Sequence, residues 1–296
     1  MAKSRVVVLR AHNYELSQIR SGLEKVFSLL GGLENFVPKG ARVFVKVNLL
    51  PPPSPPERGI ITHPTFAEAV LTRLKELTPH IVVGDDVHEA RSFDLGGYRE
   101  MCRRLGVELL NLRERGFVEV ALDGGVLKRV YIARAVHEAE IIVNLPKLKT
   151  HALTTFTGAI KNLYGVIPTG LRTALHGKHP KPAEFAQVLV DIFAAARPAL
   201  TVMDGIVAME GAGPANGTPR PLGLILAGPD TVAVDAVAQS AIGLDPLRVW
   251  TTYYAHRRGL GVGELREIEV LGESLESVRV RDFRLPPAAG ETMGRV

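Results

Sequence analysis

The chain has 296 residues, 46% hydrophobic and 23% charged, with a formal net charge of +5. That composition excludes collagen-like, mucin-like and disordered chains. One cysteine, Cys102, excludes an internal disulfide and any cysteine-ligated zinc or iron–sulfur centre completed by this chain alone. The apolar run Val6–Leu9 is too short for a secretory core, and no window approaches the roughly 20 apolar residues of a membrane helix. The chain is therefore read as cytoplasmic, with no membrane partner.

Short Val- and Ile-rich runs alternate with amphipathic stretches along the chain. Strands are predicted at Arg5–Arg10, Arg42–Leu49, His80–Asp85, Val107–Leu112, Val126–Ala133, Glu140–Leu145, Leu200–Gly205, Leu222–Ala227 and Glu267–Leu271. Helices are predicted at Glu15–Leu30, Thr65–Leu77, Tyr98–Leu105, Ala183–Ala196, Thr231–Ile242 and Pro246–Arg258. Runs such as IIVNL and LGLILA are apolar throughout, as strands covered on both faces are. The expected fold is α/β, with mainly parallel sheet flanked by helices in two abutting lobes. Residues 1–290 form one unit, with 144–183 between the lobes and 291–296 as a tail. Cys102, at helical spacing from Tyr98, Met101 and Leu105, reads as a buried structural thiol.

Residues 144–183 break the pattern: forty residues without an Asp or Glu, carrying Lys147, Lys149, Lys161, Arg172, Lys178 and Lys181 with His151, His176 and His179. The remainder of the chain is close to neutral, so the basicity is local. Pro146 ends a strand because it offers no N–H. Beyond it, Lys147, Lys149 and His151 alternate with other residues and point one way from an extended chain. Residues 159–163 suggest a short helix carrying Lys161. Helix N–H groups and clustered lysines make an anion site, and neighbouring cations lower a lysine's pKa, freeing it to act as base or nucleophile.

In an open parallel sheet, functional groups gather beyond the carboxyl ends of the strands. Lys46 and Asn48 end one predicted strand, Asp85 and Asp86 another, Asn144 a third and Asp204 a fourth. Candidate metal ligands are His151, His176 and His179, or the carboxylates Asp85 and Asp204, which would suit a divalent cation. The proline-rich stretch 51–64 predicts a stiff polyproline-like connection, either a rigid surface loop or a preorganised rim over the crevice. The Gly/Pro-rich stretch 209–221 predicts a mobile lid over Asp204.

The segment IIVNLPKLKTHALTTFTGAIKNLYGVIPTG resembles the signature of the DUF362 family, a prokaryotic family of unknown function. VKVNLL with THPTFAEAV, VMDGIVAMEGAGPANGTPRPLGLILAGPDTVAVDAVA and RRGLGVGELREIEVLG resemble its outer blocks. Many relatives carry a ferredoxin-like domain that this chain lacks, so the resemblance implies no iron–sulfur site of its own and a ferredoxin-like partner for any redox role. His151 and Lys161, ten apart and followed by Gly165–Gly170, also resemble a segment of the nickel-pincer lactate racemase family. There the lysine tethers the cofactor and histidines bind nickel or move the substrate proton. That resemblance implies Lys161 as anchor and His151 as acid/base.

The leading expectation is an enzyme of Lys/His acid–base type, racemase- or isomerase-like in one form, acting on a small carboxylate or phosphate. Lys161, His151 and Lys149 are the catalytic candidates. Lys46, Asn48, Lys147, Thr150, Asn162 and His176 are the substrate-binding candidates. A redox accessory or metallocentre-associated protein is the first alternative. A nucleic-acid-binding protein is the second, disfavoured because only Phe156 and Tyr164 offer aromatic rings in the basic segment. A homodimer is a further expectation.

Overall fold

The computed structural model describes residues 3–294. Ten of its strands form one sheet: β1 (Ser4–Arg10), β2 (Val43–Val47), β3 (Ile81–Asp85), β4 (Glu108–Asn111), β7 (Ile141–Leu145), β8 (Lys147–His151), β9 (Thr155–Thr157), β10 (Leu200–Glu210), β11 (Thr218–Gly228) and β12 (Ile268–Gly272). The remaining two, β5 (Phe117–Ala121) and β6 (Arg129–Ala133), form a separate antiparallel pair. The main order is β12-β1-β11-β10-β7-β2-β3-β4, with β8 alongside β10 and β9 alongside β8. Pairing is parallel from β10 through β7, β2 and β3 to β4, and between β1 and β12. Only β11 and β9 pair antiparallel within this sheet. The sheet is thus mainly parallel and flanked by helices, as predicted.

Alternation along the strands decides what each face receives. Val43, Val45 and Val47 join a core with α1 (Leu16–Leu29), α2 (Pro64–Lys75) and, beyond the short α3 (Arg91–Leu95), α4 (Tyr98–Leu105). On α1 the buried residues Ile19, Leu23, Val26 and Phe27 fall at amphipathic spacing. Phe44 points the other way, into a core with α5 (Arg134–His137), α6 (Ala159–Asn162) and α8 (Pro182–Ala195), which follows α7 (Thr169–Lys178). A third cluster packs α9 (Thr231–Ala241) on Val6, Val8, Leu224 and Leu226. α9 starts at Asp230, whose carboxylate accepts the N–H groups of Val232 and Ala233.

Several elements depart from expectation. The predicted strand at 126–133 is the β5–β6 hairpin's second arm, outside the main sheet. The predicted helix 246–258 divides into a 3₁₀ turn at Pro246–Arg248 and α10 (Trp250–Arg257). β10 and β11 run eleven residues each, well past their predicted ends. Pro219 and Pro221 argue against a strand because they cannot donate. They are tolerated because β1 pairs only with Leu224–Ala227, leaving one side of that end free. The 209–221 stretch is therefore the end of a hairpin. Its tip is fastened to β8, where Thr150 Oγ1 donates to the Gly211 carbonyl at 2.9 Å and accepts from Gly213 N at 3.2 Å. Cys102 is buried in α4, and burial pushes its thiol up to about 12. Among the described residues no helix is long and apolar enough to cross a membrane.

Candidate active site

The carboxyl ends of β2 and β3, with β8, β9 and α6, surround a narrow cleft of about 60 Å³, enough for a few waters or one small oxyanion. Lys46, Asn48, Asp85, Lys149, His151, Thr157, Lys161, Asn162, Tyr164 and Arg172 line it, with Leu49, Leu50 and Pro214 at its rim. Lys46 is in register with Asn144 of β7 and Gly84 of β3. Its face is the one that carries α6, so its ammonium rises beneath that helix. There it meets Asp85 at 2.9 Å, both groups being inaccessible to solvent. Gly165 must be glycine, because a Cβ would strike Asp85 and Lys46.

Asn162 bolts α6 to the sheet. Its Oδ1 accepts from Asn48 Nδ2 at 3.1 Å, and its Nδ2 donates to Asn144 Oδ1 at 2.7 Å. Asn144 in turn donates to the Ala159 carbonyl. At the start of α6, Asp235 accepts the N–H groups of Ala159 and Ile160 at 2.6 and 3.0 Å. Burial lifts this carboxyl to about 7, against the pull of those two bonds. Gly158 leaves room for it, since a Cβ there would collide with Asp235 Oδ1 and the Phe156 ring. Lys161, one turn into the cleft, is thereby fixed from both ends.

Lys161 is the least compensated charge of the cleft. Among the described residues its Nζ has no hydrogen-bond or carboxylate partner; it lies over the rings of Tyr164 and Phe185 at 5.3 and 5.6 Å. Burial, helped by Arg172, lowers its pKa to about 7. Lys149 donates to Asn48 Oδ1 at 2.8 Å and the Ile60 carbonyl at 2.6 Å. Burial first, then Lys161 and Lys147, push its ammonium well below the ordinary range. Thr157 Oγ1 and Arg172 Nε are buried without a partner among the described residues. Arg172 is oriented by Asp86, which also takes Arg113 Nε at 2.8 Å and Thr169 N at 2.7 Å. Burial opposes ionisation of Asp86, but these bonds and cations hold its carboxyl low overall.

His151 is neutral, because burial and then Lys161 and Lys149 push it well below its usual value. Its Nδ1 accepts from Leu153 N at 3.1 Å and Thr154 N at 3.3 Å. The hydrogen-bond pattern therefore assigns its one proton to Nε2, making it a neutral donor.

The structure thus brings together Lys46, Asn48, Lys149, His151, Lys161 and Asn162 of the predicted set. It separates three others. Lys147 pairs with Asp204 at 2.8 Å and with Tyr14 Oη at 2.7 Å, in a buried network outside the cleft. There Tyr14 donates to Asp204 Oδ1 at 2.9 Å and stacks on His63 with centroids 3.6 Å apart. Thr150 secures the hairpin tip instead of lining the cleft. His176 packs against Phe185 and Tyr164, behind the cleft wall. Lys178 and Lys181 are at the surface. Arg172, Thr157 and Tyr164 were missed as site residues. The lack of any predicted helix at 169–178 hid the spacing that lets Thr169 and Arg172 share Asp86.

The predicted lid over Asp204 is corrected as well: Pro214 borders the Lys161 cleft, while Asp204 is covered by Lys147, Tyr14 and the backbone of His63. The candidate metal ligands do not converge. Asp85 holds Lys46, Asp204 holds Lys147, His151 Nδ1 is occupied by backbone, and His176 and His179 lie apart from the carboxylates. Among the described residues there is no group of three His, Cys, Asp or Glu able to hold a metal ion. The residues present do not fit a protein-held divalent cation.

A family model described as a domain of unknown function, DUF362, matches residues 43–240. The chain belongs to the DUF362 family. Every residue named in the cleft falls inside the matched span. A thylakoid-associated protein of Synechocystis sp. is 34% identical to this DUF362 protein over 264 residues, covering 88% of this chain and 81% of that one. Among solved structures, the lactate racemase apoprotein of Thermoanaerobacterium thermosaccharolyticum aligns with a TM-score of 0.49 at 11% identity, covering 77% of this chain. A protein of Thermotoga maritima aligns with a TM-score of 0.42 at 17% identity, covering 72%. The chain spans about half the length of these two structures, 54% and 55%.

Proposed function

We propose that this DUF362 protein binds a small carboxylate or phosphate in the Lys161 cleft and catalyses proton transfer on it. One observation carries the reading: the ammonium of Lys161 stands without a counter-ion in a cleft that also holds Lys149 and Arg172. Asp85 is already committed to Lys46, and Asp86 to Arg172 and Arg113, so the site keeps an excess of positive charge. The unpartnered Thr157 Oγ1 and Arg172 Nε supply two further donors suited to an oxyanion.

The roles divide by protonation state. Lys161, with a pKa of about 7, is half unprotonated at neutral pH and serves as base. His151 carries its proton on Nε2 and serves as the neutral donor to the oxygen where negative charge develops. Lys149 and Arg172 hold the anion, and Asn48 keeps Lys149 aligned.

The test is calorimetric titration with oxalate and with inorganic phosphate. Binding of either anion is expected with wild type and lost with Lys161→Ala, whose melting temperature stays within a few degrees. A collapse of stability on that substitution makes Lys161 structural and defeats the reading, as does undiminished binding. Oxalate keeps a constant charge above mildly acidic pH, so its affinity reports the protein. It is expected to weaken as pH rises through about 7, where Lys161 loses its proton.

A further inference from the structure

Lys161 has two properties that a general base does not require. Its nitrogen is not tethered: Lys46 and Lys147 are each held by a carboxylate and Lys149 by two oxygen acceptors, whereas Lys161 meets only the faces of Tyr164 and Phe185. It also shares the cleft with a neutral proton donor, His151, and with cations that can hold a carboxylate. An amine free to advance, an anion clamp and a proton donor on one cleft are the parts that amine–carbonyl condensation needs.

We propose that Lys161 condenses with the carbonyl of a small 2-oxo carboxylate to form an imine. The inference rests on the reading of the cleft as an anion site and names its substrate class. Lys149 and Arg172 hold the carboxylate, and Thr157 Oγ1 and Arg172 Nε gain their missing partner. The Lys161 nitrogen attacks the keto carbon, forming a C–N bond as the carbonyl π pair moves to oxygen. His151 Nε2–H donates to that oxygen, and the amine returns the proton through solvent, giving a carbinolamine. The carbinolamine hydroxyl then leaves as water with the second amine proton, and the nitrogen lone pair closes the C=N bond. The amine and the oxo acid are converted to imine and one water, with no electrons exchanged and no co-reactant needed. The product is an electron sink that acidifies neighbouring C–H bonds, which joins this step to proton transfer. The lowered pKa of Lys161, about 7, supplies the free amine at neutral pH.

The test uses pyruvate with sodium cyanoborohydride on the full-length protein, followed by peptide mapping by mass spectrometry. The expected result is a reduced pyruvyl adduct on Lys161, formed on the order of a hundredfold faster than on surface lysines, because an ordinary lysine is almost wholly protonated at pH 7. Excess oxalate should suppress it. Lactate, which lacks the carbonyl, should leave no adduct. Labelling should accelerate as pH rises through about 7. Lys161→Arg keeps the charge but not the nucleophile and should lose the adduct; the wild-type map gives the answer even where that variant folds poorly. If pyruvate binds in competition with oxalate yet no adduct forms at Lys161, the imine is refuted and the anion site stands. If labelling is spread over the surface lysines, the imine is likewise refuted. If neither oxalate, phosphate nor pyruvate binds, both readings fall together.

Discussion

Lys147 and Lys149 sit two residues apart on one strand, and both are buried, yet they do different work. Lys147 is neutralised by Asp204 and capped by Tyr14. Removing one partner of such a pair leaves an uncompensated charge in a dry interior. Lys147→Ala is therefore expected to lower the unfolding free energy by about 3–5 kcal/mol, read by chemical denaturation, while oxalate affinity in the folded protein is retained. Equal loss of binding would place Lys147 in the cleft after all. Tyr14 Oη donates to Asp204 and accepts from Lys147 and from Val207 N. Tyr14→Phe should cost about 2 kcal/mol, since it strips three buried groups of one partner each. Burial holds His63, stacked on Tyr14, down at about 4, so its imidazole is uncharged at neutral pH.

α6 is four residues long, too short to persist without help. Its geometry comes from tertiary bonds: Asp235 on α9 holds its first N–H groups, Asn144 on β7 donates to its Ala159 carbonyl, and its own Asn162 bonds Asn144 and Asn48, the residue after β2. Asp235→Ala should release α6 and reduce oxalate affinity without touching any cleft-lining group. Asp235→Asn, which keeps one acceptor, should preserve more of it. Calorimetry on the two variants checks the order, and amide exchange at Ile160 reports the release directly. The hairpin tip is held in a comparable way by Thr150. A Thr150→Val change should speed exchange at Gly213, whose N–H then loses one of its two acceptors and keeps only the Gly211 carbonyl at 2.8 Å.

Two groups set opposite pH slopes for the folded molecule. Lys161 has a folded pKa of about 7 against 10.5 in the free side chain. Between those values the unfolded chain binds more protons, so this group makes stability rise with pH across that window. Asp235 is raised from 3.8 to about 7. Its contribution is complete below about 4 and is lost as pH climbs to about 7. Burial and then Arg172 both lower the Lys161 pKa, and the carboxylate lining the same cleft, Asp85, is paired with Lys46, so the sign stands. Denaturation midpoints of wild type and Lys161→Met, measured from pH 7 to 10, should converge as pH rises. Parallel curves would mean that Lys161 titrates normally.

Much of this arrangement was legible in the chain. Hydrophobic period separated strands from helices, so β1, β2, β3, β7, α1, α4 and α9 appear within a few residues of their predicted bounds. Lys46, Asn48, Lys149, His151, Lys161 and Asn162 were placed at strand ends and at one short helix because parallel sheets expose their carboxyl ends. What alternation does not encode is the identity of the neighbour. Lys147 and Lys149 are about 7 Å apart along the strand. Which one meets a carboxylate depends on Asp204, 57 residues away, and on the irregular register of β8 against β10. Arg172 and Thr157 entered the cleft, and His176 and Thr150 left it, for the same reason. Local sequence sets which way a side chain points and whether the segment is extended or helical; the electrostatic surroundings that decide between a sealed ion pair and a cleft-lining amine without a carboxylate come from distant segments, and only the packed chain brings those together.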